Sequence, residues 1–237
     1  MEYRDLALFP LDTVLFPQMV LPLHIFEPRY RQMISECVRD NTPFGVVLIE
    51  EGMQVGEPAK PFMVGTLARI TEVVKLDDGR LYVTTVGTER FRLLNYRNIK
   101  PYVTGDLQTW PETGQSASFQ LIREVQADFK LYLDVLSELA RKRIEGLEMP
   151  NDAAALSYII PNWLLQIELD EKQRLLEMSD CTDRLLEESK LLRRETEFLR
   201  RIKEQAEREG ALNDTGSETD SFGGSSGYTP SFPFSKN

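Results

Sequence analysis

The chain has 237 residues, of which 41% are hydrophobic and 28% charged, a balance typical of a soluble globular protein. This length is enough for one large or two small domains with a core. The sequence contains no run of 18 or more apolar residues, which excludes a usual membrane-spanning helix, and its first residues do not resemble a secretory signal. We therefore expect a cytoplasmic protein with no membrane partner.

The formal net charge is −10, and no part of the chain is basic overall. The one compact basic cluster, Arg141 to Arg143, lies near a predicted helix end, where positive charge is favoured by the helix dipole. Nucleic acid is not an expected partner, because sequence-independent binding needs clustered Lys and Arg. Cys37 and Cys181 are far apart and lie in helical patterns, so we expect two buried thiols rather than a disulfide.

Residues 1–112 are rich in β-branched and aromatic residues, with Pro and Gly at short intervals. A helix is predicted over Pro28–Asp40, and Asp77-Asp78-Gly79 is typical of a hairpin turn. Many short strands at this spacing favour a twisted, partly closed β-barrel. The predicted strands are Leu6–Leu8, Val14–Phe16, Phe44–Ile49, Phe62–Val74, Leu81–Val86, Glu89–Tyr96 and Tyr102–Leu107.

Residues 113–209 change to the period of helices. A helix of about seven turns is predicted from about residue 115, ended by Gly146 and Pro150. A second helix from Asp152 should kink or break at Pro161, and Asp170 is the predicted N-cap of a third. One long helix follows from Asp180 to about residue 208.

The long helix has Glu188 and Glu195 on the same face as Leu185, Leu192 and Leu199. Acidic residues at core positions weaken a coiled-coil seam. The pattern therefore predicts that the helix packs through Leu185 and Leu192 and that its end projects or pairs weakly from Leu199 onward. On this basis Leu199 and Ile202 are candidate protein-binding residues.

Residues 210–237 are rich in Gly, Ser and Thr and poor in aliphatic residues, so we expect a disordered tail. Four spaced aromatics leave open a short docking motif for a partner; they are Phe222, Tyr228, Phe232 and Phe234.

The motifs of common catalytic sites are missing from the sequence. No Lys follows a Gly, so there is no phosphate-binding loop of the G-x-x-x-x-G-K type. His24 is the only histidine, and with two distant cysteines it cannot form a zinc site of usual composition. The adjacent carboxylates Glu50-Glu51 and Asp77-Asp78 fall on predicted loops and give no sign of a convergent acid–base pair. We expect no enzyme activity, no cofactor and no metal.

The segment FPLDTVLFPQMVLPLHIFEPRY, within residues 6–49, resembles the opening of the Lon protease amino-terminal domain family. A weaker resemblance continues through LSYIIPNWLLQIELDEKQRLLEMSDCTDRLLEESKLLRRE, so that it covers roughly residues 6–205. It implies an α+β fold with a PUA-like β-barrel over 1–112 and an α-helical bundle over 113–209, ending in a long helix.

The same resemblance implies a substrate-recognition module that binds unfolded or specific protein segments. Because the ATPase and peptidase motifs are missing, we expect a module standing alone, in protein quality control or in client delivery to a separate protease. Two alternatives stay open. The first is a scaffold or adaptor that uses the long helix to contact one protein partner. The second is a small-molecule or RNA binder, as PUA-like barrels can be, against which the negative charge weighs for RNA.

The most apolar segment, residues 16–26, is interrupted by Pro17 and Pro22, so parts of it must be sheet edge or loop. Apolar side chains on such a segment are candidates for an exposed binding patch. Met19, Val20 and Leu21 are the first candidates. The structural alternative is that most of the segment fills the barrel, including Leu21, Leu23, Ile25 and Phe26.

Overall fold

The computed structural model describes residues 1–51, 60–113, 117–142, 144 and 146–214, with backbone alone for 209–214. Among these residues, six strands form one sheet in the order β2-β5-β4-β3-β1-β6. A further pairing of β5 with β6 closes the sheet into a barrel. The strands are β1 (Glu2–Leu11), β2 (Val20–Ile25), β3 (Phe44–Glu51), β4 (Lys60–Lys75), β5 (Leu81–Arg97) and β6 (Thr104–Thr109).

The long strand β5 is shared by two neighbours on the same side, β2 along Leu81–Val86 and β6 along Phe91–Arg97. Two separate strands were predicted for this stretch, and their merger corrects that prediction. Gly87 lies between the two halves, where an added Cβ would come within 2.4 Å of the Phe16 backbone oxygen. Glycine therefore allows the loop before β2 to approach, and the amide of Gly87 donates to the Met19 carbonyl at 2.9 Å.

The prediction of a strand at Val14–Phe16 was wrong, because these residues are a buried loop. Two carbonyls of this loop have partners outside a strand ladder: the Thr66 hydroxyl donates to the Leu15 carbonyl at 2.6 Å, and the Met19 amide donates to the Phe16 carbonyl at 3.2 Å. The strand forms a few residues later, as β2, in a segment for which sequence alone predicted loop, sheet edge or barrel filling.

Helix α1 (Pro28–Asp40) begins with Pro28 in its first turn, as predicted. Its buried face carries Tyr30, Met33 and Ile34 onto the barrel core. Tyr30 lies against Phe9 of β1, with ring centroids 4.1 Å apart. The helix thereby covers one side of the barrel.

The helical bundle contains α2 (Phe119–Ala140), α3 (Ala153–Trp163), α4 (Leu169–Glu177) and α5 (Cys181–Asp214). Pro161 lies in the last turn of α3. The helix ends at Trp163, two residues after the proline at which a kink or break was predicted. The N-cap of α4 is Glu168 rather than Asp170, and the Glu168 amide donates back to the Glu171 carboxylate at 3.4 Å. The α+β fold of barrel followed by bundle is as predicted.

Helix α5 has 34 residues and packs against α2 and α3. It extends five residues into the segment expected to be a disordered tail, while residues 215–237, with the four tail aromatics, lie outside the described residues. The prediction that α5 projects or pairs weakly from Leu199 onward was wrong for Leu199, which is only 5% exposed and belongs to the bundle core, while residues 200–202 are exposed. Glu188 and Glu195 are themselves buried, so they do not force the helix away from its neighbours.

The core of the bundle extends into the barrel, where Phe16, Leu48 and Val64 pack with residues of the helices. The Gln173 amide of α4 adds a polar link, donating to the Val64 carbonyl at 3.1 Å. Cys37 and Cys181 are free, buried thiols, as predicted. Burial raises the pKa of the Cys37 thiol to about 11, which keeps it unreactive.

Candidate functional site

Strand β2 separates its side chains by face, although almost all of them are apolar. Val20, Pro22 and His24 are exposed, whereas Leu21 and Ile25 are buried against the barrel core. This is the period of two that any strand imposes, with one face toward the core. β2 pairs only with β5 among the described strands, so Pro22 lies on an edge strand, where a missing ladder donor is tolerated.

The exposed residues of β2 have apolar neighbours on the adjoining strands. His24 pairs with Tyr82 of β5, which in turn pairs with Val74 of β4. The His24 and Tyr82 rings are stacked with centroids 4.8 Å apart, and His24 also lies 5.9 Å from Phe26, centroid to centroid. Phe26, Tyr82 and Val74 each remain about half exposed, at 51%, 51% and 47%. We call this surface the outer strip; it consists of Val20, Pro22, His24, Phe26, Val74 and Tyr82.

The three candidate residues before and within β2 have different environments. Val20 is 52% exposed and belongs to the outer strip. Leu21 is 9% exposed, so its place in an exposed patch must be corrected: its side chain points inward from the strand. Met19 is half-buried and packs against the core of the barrel and that of the bundle. The barrel-filling alternative therefore holds for Leu21 and Ile25 and in part for Leu23, which is half-buried against the barrel core, but not for Phe26.

The two candidates on α5 are also separated by burial. Ile202 is 41% exposed and lies one turn after Phe198, which is exposed as well. Leu199 faces the bundle core and offers no exposed surface. The α5 surface thus offers a pair of apolar side chains, a smaller feature than the outer strip.

A cluster of charged residues lies between barrel and bundle. Arg90 of β5 and Arg184 of α5 both contact the Glu112 carboxylate at 2.9 Å and both donate to the Met178 carbonyl, at 2.5 and 2.6 Å. Arg90 also donates to the Leu176 carbonyl at 2.8 Å, so both guanidiniums bind the carboxyl end of α4. Positive charge is favoured there because the last carbonyls of a helix have no partner within the helix.

Tyr158 of α3 completes this cluster by donating its hydroxyl to Glu112, while the Ser157 hydroxyl accepts from Arg184 Nε at 2.9 Å. Burial, with the hydrogen bond to Glu112, raises the pKa of Tyr158 far above its ordinary value, and burial lowers the pKa of Arg90. The two guanidinium groups are at most 1% exposed, so no substrate reaches them. We interpret the cluster as structural, because its donors are directed at the protein's own carbonyls and carboxylates.

Neither a metal site nor a membrane-spanning helix is found in the part of the chain that the structure describes. It holds no group of three or more His, Cys, Asp or Glu side chains arranged to bind a metal ion. None of its helices is both long enough and apolar enough to cross a membrane.

Sequence comparison identifies the family. A sequence model of the ATP-dependent protease La (LON) substrate-binding domain matches residues 5–194. The chain is 29% identical over 219 residues to a Lon protease of Buchnera aphidicola subsp. Baizongia pistaciae, covering 87% of this chain and 28% of the relative. It is 30% identical over 195 residues to a Lon protease of Koribacter versatilis, covering 78% of this chain and 23% of the relative.

Two solved structures have a fold similar to that of this chain. The fold matches a Lon N-terminal domain protein from Xanthomonas campestris with a TM-score of 0.60 and 26% identity, over 78% of this chain and 96% of that chain. The N-terminal domain of Mycobacterium avium complex Lon protease matches with a TM-score of 0.59 over 80% of this chain and 98% of that chain; at 18% identity it shows the fold alone. The chain thus spans about a quarter of the length of these Lon protease relatives. It belongs to the family of Lon (protease La) substrate-binding domains.

Proposed function

We propose that this protein binds exposed apolar segments of protein substrates through the outer strip, without catalysing a reaction itself. The observation that carries this proposal is the continuity of the strip: His24, Tyr82 and Val74 are direct neighbours across three strands and are all exposed. Soluble proteins seldom expose contiguous apolar surface without a binding role. The family of the chain is defined by substrate binding, which supports the same role.

The chemistry of the strip suits an extended, apolar polypeptide. Val20 and Pro22 are stiff side chains that lose little entropy when a ligand covers them. His24 and Tyr82, stacked on each other, combine apolar ring surface with polar atoms, so they can contact apolar groups and also hydrogen-bond a substrate backbone. None of the six residues of the strip carries a carboxylate or ammonium group; the nearest carboxylate in the strand register is that of Glu72, which pairs with Thr84, the partner of Pro22. Such a surface selects for apolar character rather than for one sequence.

The place of this binding in the cell is also a proposal. The full-length relatives are named Lon proteases, and this chain corresponds to about a quarter of them. We infer a cytoplasmic role in protein quality control, in which bound clients are passed to a protease. The clients are unfolded or partly unfolded chains, because folded proteins bury the apolar segments that the strip would contact.

The test compares two exposed positions. Val20→Asp places a hydrated charge in the outer strip, and Leu94→Asp places one on β5 at a similarly exposed site outside the strip. Binding of a fluorescent, reduced and carboxymethylated model protein is measured by anisotropy. We expect Val20→Asp to weaken binding roughly fivefold or more and Leu94→Asp to leave it unchanged, because loss of a contact with the ligand costs about 1 kcal/mol or more.

Thermal unfolding of both variants serves as the control, and both should melt within a few degrees of the wild type, because surface substitutions change stability by about 0.5 kcal/mol or less. Equal binding by Val20→Asp and wild type, with both folded, would remove the outer strip from the proposal.

The exposed pair on α5 supports a second candidate, an adaptor that holds one protein partner. Phe198 and Ile202 lie one helical turn apart, which is the spacing of anchors in helix-mediated contacts. The double variant Phe198→Ala/Ile202→Ala tests it in a pull-down from native lysate. Loss of one stoichiometric partner, with unfolded-client binding intact, would favour the adaptor over the recognition module.

A further inference from the structure

Glu188 lies at the centre of the packed face of α5. It is completely buried, between Leu185 one turn before it and Leu192 one turn after it, which are buried as well. α5 packs along α2 and α3 on this side. A carboxyl group at such a position is unusual, because an ionised carboxylate loses several kcal/mol of hydration when it is buried without a partner.

No described residue donates a hydrogen bond to either oxygen of Glu188. Arg184, one turn away, has all three of its guanidinium nitrogens engaged elsewhere. Its Nε donates to Ser157, its Nη1 to the Met178 carbonyl and its Nη2 to Glu112. The buried Glu195, in contrast, receives a bond from Arg194 Nε at 3.2 Å. The positive charge of Arg184 therefore acts on Glu188 from a distance, without a hydrogen bond between the two side chains.

The charged groups on the neighbouring elements are likewise bound to other partners. Asp128 of α2 accepts from Ser189 and Arg193, and Glu171 of α4 accepts from Arg194. Glu112, from the segment after β6, is held by Arg90, Arg184 and Tyr158, and the Tyr132 hydroxyl of α2 donates to the Trp163 carbonyl. None of these contacts provides a cation for Glu188.

We propose that Glu188 is a proton-dependent latch: its neutral acid form lets α5 pack against α2 and α3, and its ionisation loosens that packing. The latch acts on the bundle rather than on the outer strip, so it stands or fails independently of the proposed function. The chemistry required is a single proton equilibrium between the carboxyl group and solvent, which local opening of α5 makes possible.

The direction of the pH effect follows from linkage. Burial raises the pKa of Glu188 well above its ordinary value of 4.5, opposed by the charge of Arg184 and reinforced by that of Glu112. The folded state thus keeps a proton that the unfolded chain releases. The stabilisation from this proton is complete below the unfolded pKa and is lost as pH rises toward the folded pKa. Alkaline conditions should therefore loosen α5.

The test compares Glu188→Gln with Glu187→Gln, which removes a carboxylate from the adjacent position on the same helix, where it is partly exposed and paired with Lys190 at 2.8 Å. Thermal unfolding is followed from pH 5 to pH 8 for both variants and the wild type. The melting temperature of Glu188→Gln relative to wild type should rise by about 3 °C or more over this range, because its amide cannot ionise. Glu187→Gln should follow the wild type. A difference that stays constant with pH would overturn the latch.

A direct titration covers the case in which Glu188→Gln fails to fold. Carbon NMR of the glutamate side-chain carboxyls in the wild-type protein, with Glu188→Asp to assign the signal, reports the protonation state. We expect one glutamate carboxyl to remain neutral at pH 6, where an unperturbed glutamate is ionised. A Glu188 signal that is fully ionised at pH 6 would contradict the proposal.

Discussion

Strand β2 and helix α5 show opposite relations between the sequence and the burial of its residues. β2 is apolar along almost its whole length, yet half of its side chains are exposed. α5 carries acidic residues within its apolar face, yet that face stays buried through Leu199. In both cases the packing of the neighbouring elements determines which side chains are buried. β2 lies at a sheet edge with the core on one face only, whereas α5 is covered by α2 and α3 together.

The largest loss of stability is expected for a substitution on the buried face of β2. Leu21→Asp should destabilise the protein by about 3 kcal/mol or more, because it places an unpaired charge in the barrel core. Val20→Asp, one residue earlier, should change stability by about 0.5 kcal/mol or less. Urea unfolding of the two variants measures the difference directly. Similar values would mean that the two faces of β2 are not distinct.

A large loss of stability is also expected for substitutions on the buried face of α5. Leu185→Ala and Leu199→Ala should each cost about 2–5 kcal/mol, since both side chains belong to the bundle core. Leu186→Ala, at an exposed position of the same helix, is the matched control and should change stability by about 0.5 kcal/mol or less. Equilibrium unfolding in dilute solution is the measurement. A clearly smaller cost at Leu199 than at Leu185 would restore the picture of a projecting helix end.

The smallest expected effect sharpens the description of the outer strip. The stacked pair of His24 and Tyr82 should contribute a coupling free energy of about 0.2–1 kcal/mol, as cross-strand aromatic pairs do. A double-mutant cycle of His24→Ala and Tyr82→Ala, read by chemical denaturation, isolates this coupling from the separate effect of each change. Additive single effects would show that the two rings do not stabilise each other.

Much of the fold could be predicted from local patterns. Pro28 at the start of α1 and the apolar stripe of α2 depend on neighbours in sequence, and both were placed correctly. Strand β2 could not be found in this way, because VLPLHI shows no alternation of apolar and polar residues and contains a proline. Its pairing with β5 depends on the approach allowed at Gly87, roughly 65 residues later in the chain.

The candidate site was predicted only in part for the same reason. Val20 was found because it lies in an apolar segment broken by prolines, but Tyr82 and Val74 reach it only through the register of three strands. Glu188 was recognised as lying on the helix face with the leucines. Its burial could not be predicted, since an isolated acidic residue in a sequence is normally solvated.

The Met178 carbonyl, shared by an arginine from the barrel and one from the bundle, bears on how the molecule unfolds. Opening the bundle alone would remove the acceptors of Arg90 on α4 and expose the apolar barrel side chains that pack against the helices, and opening the barrel alone would expose the apolar side chains that both regions share. Neither region can lose its structure without a penalty in the other. Denaturation should therefore be cooperative, with β-sheet and α-helix signals disappearing in one transition.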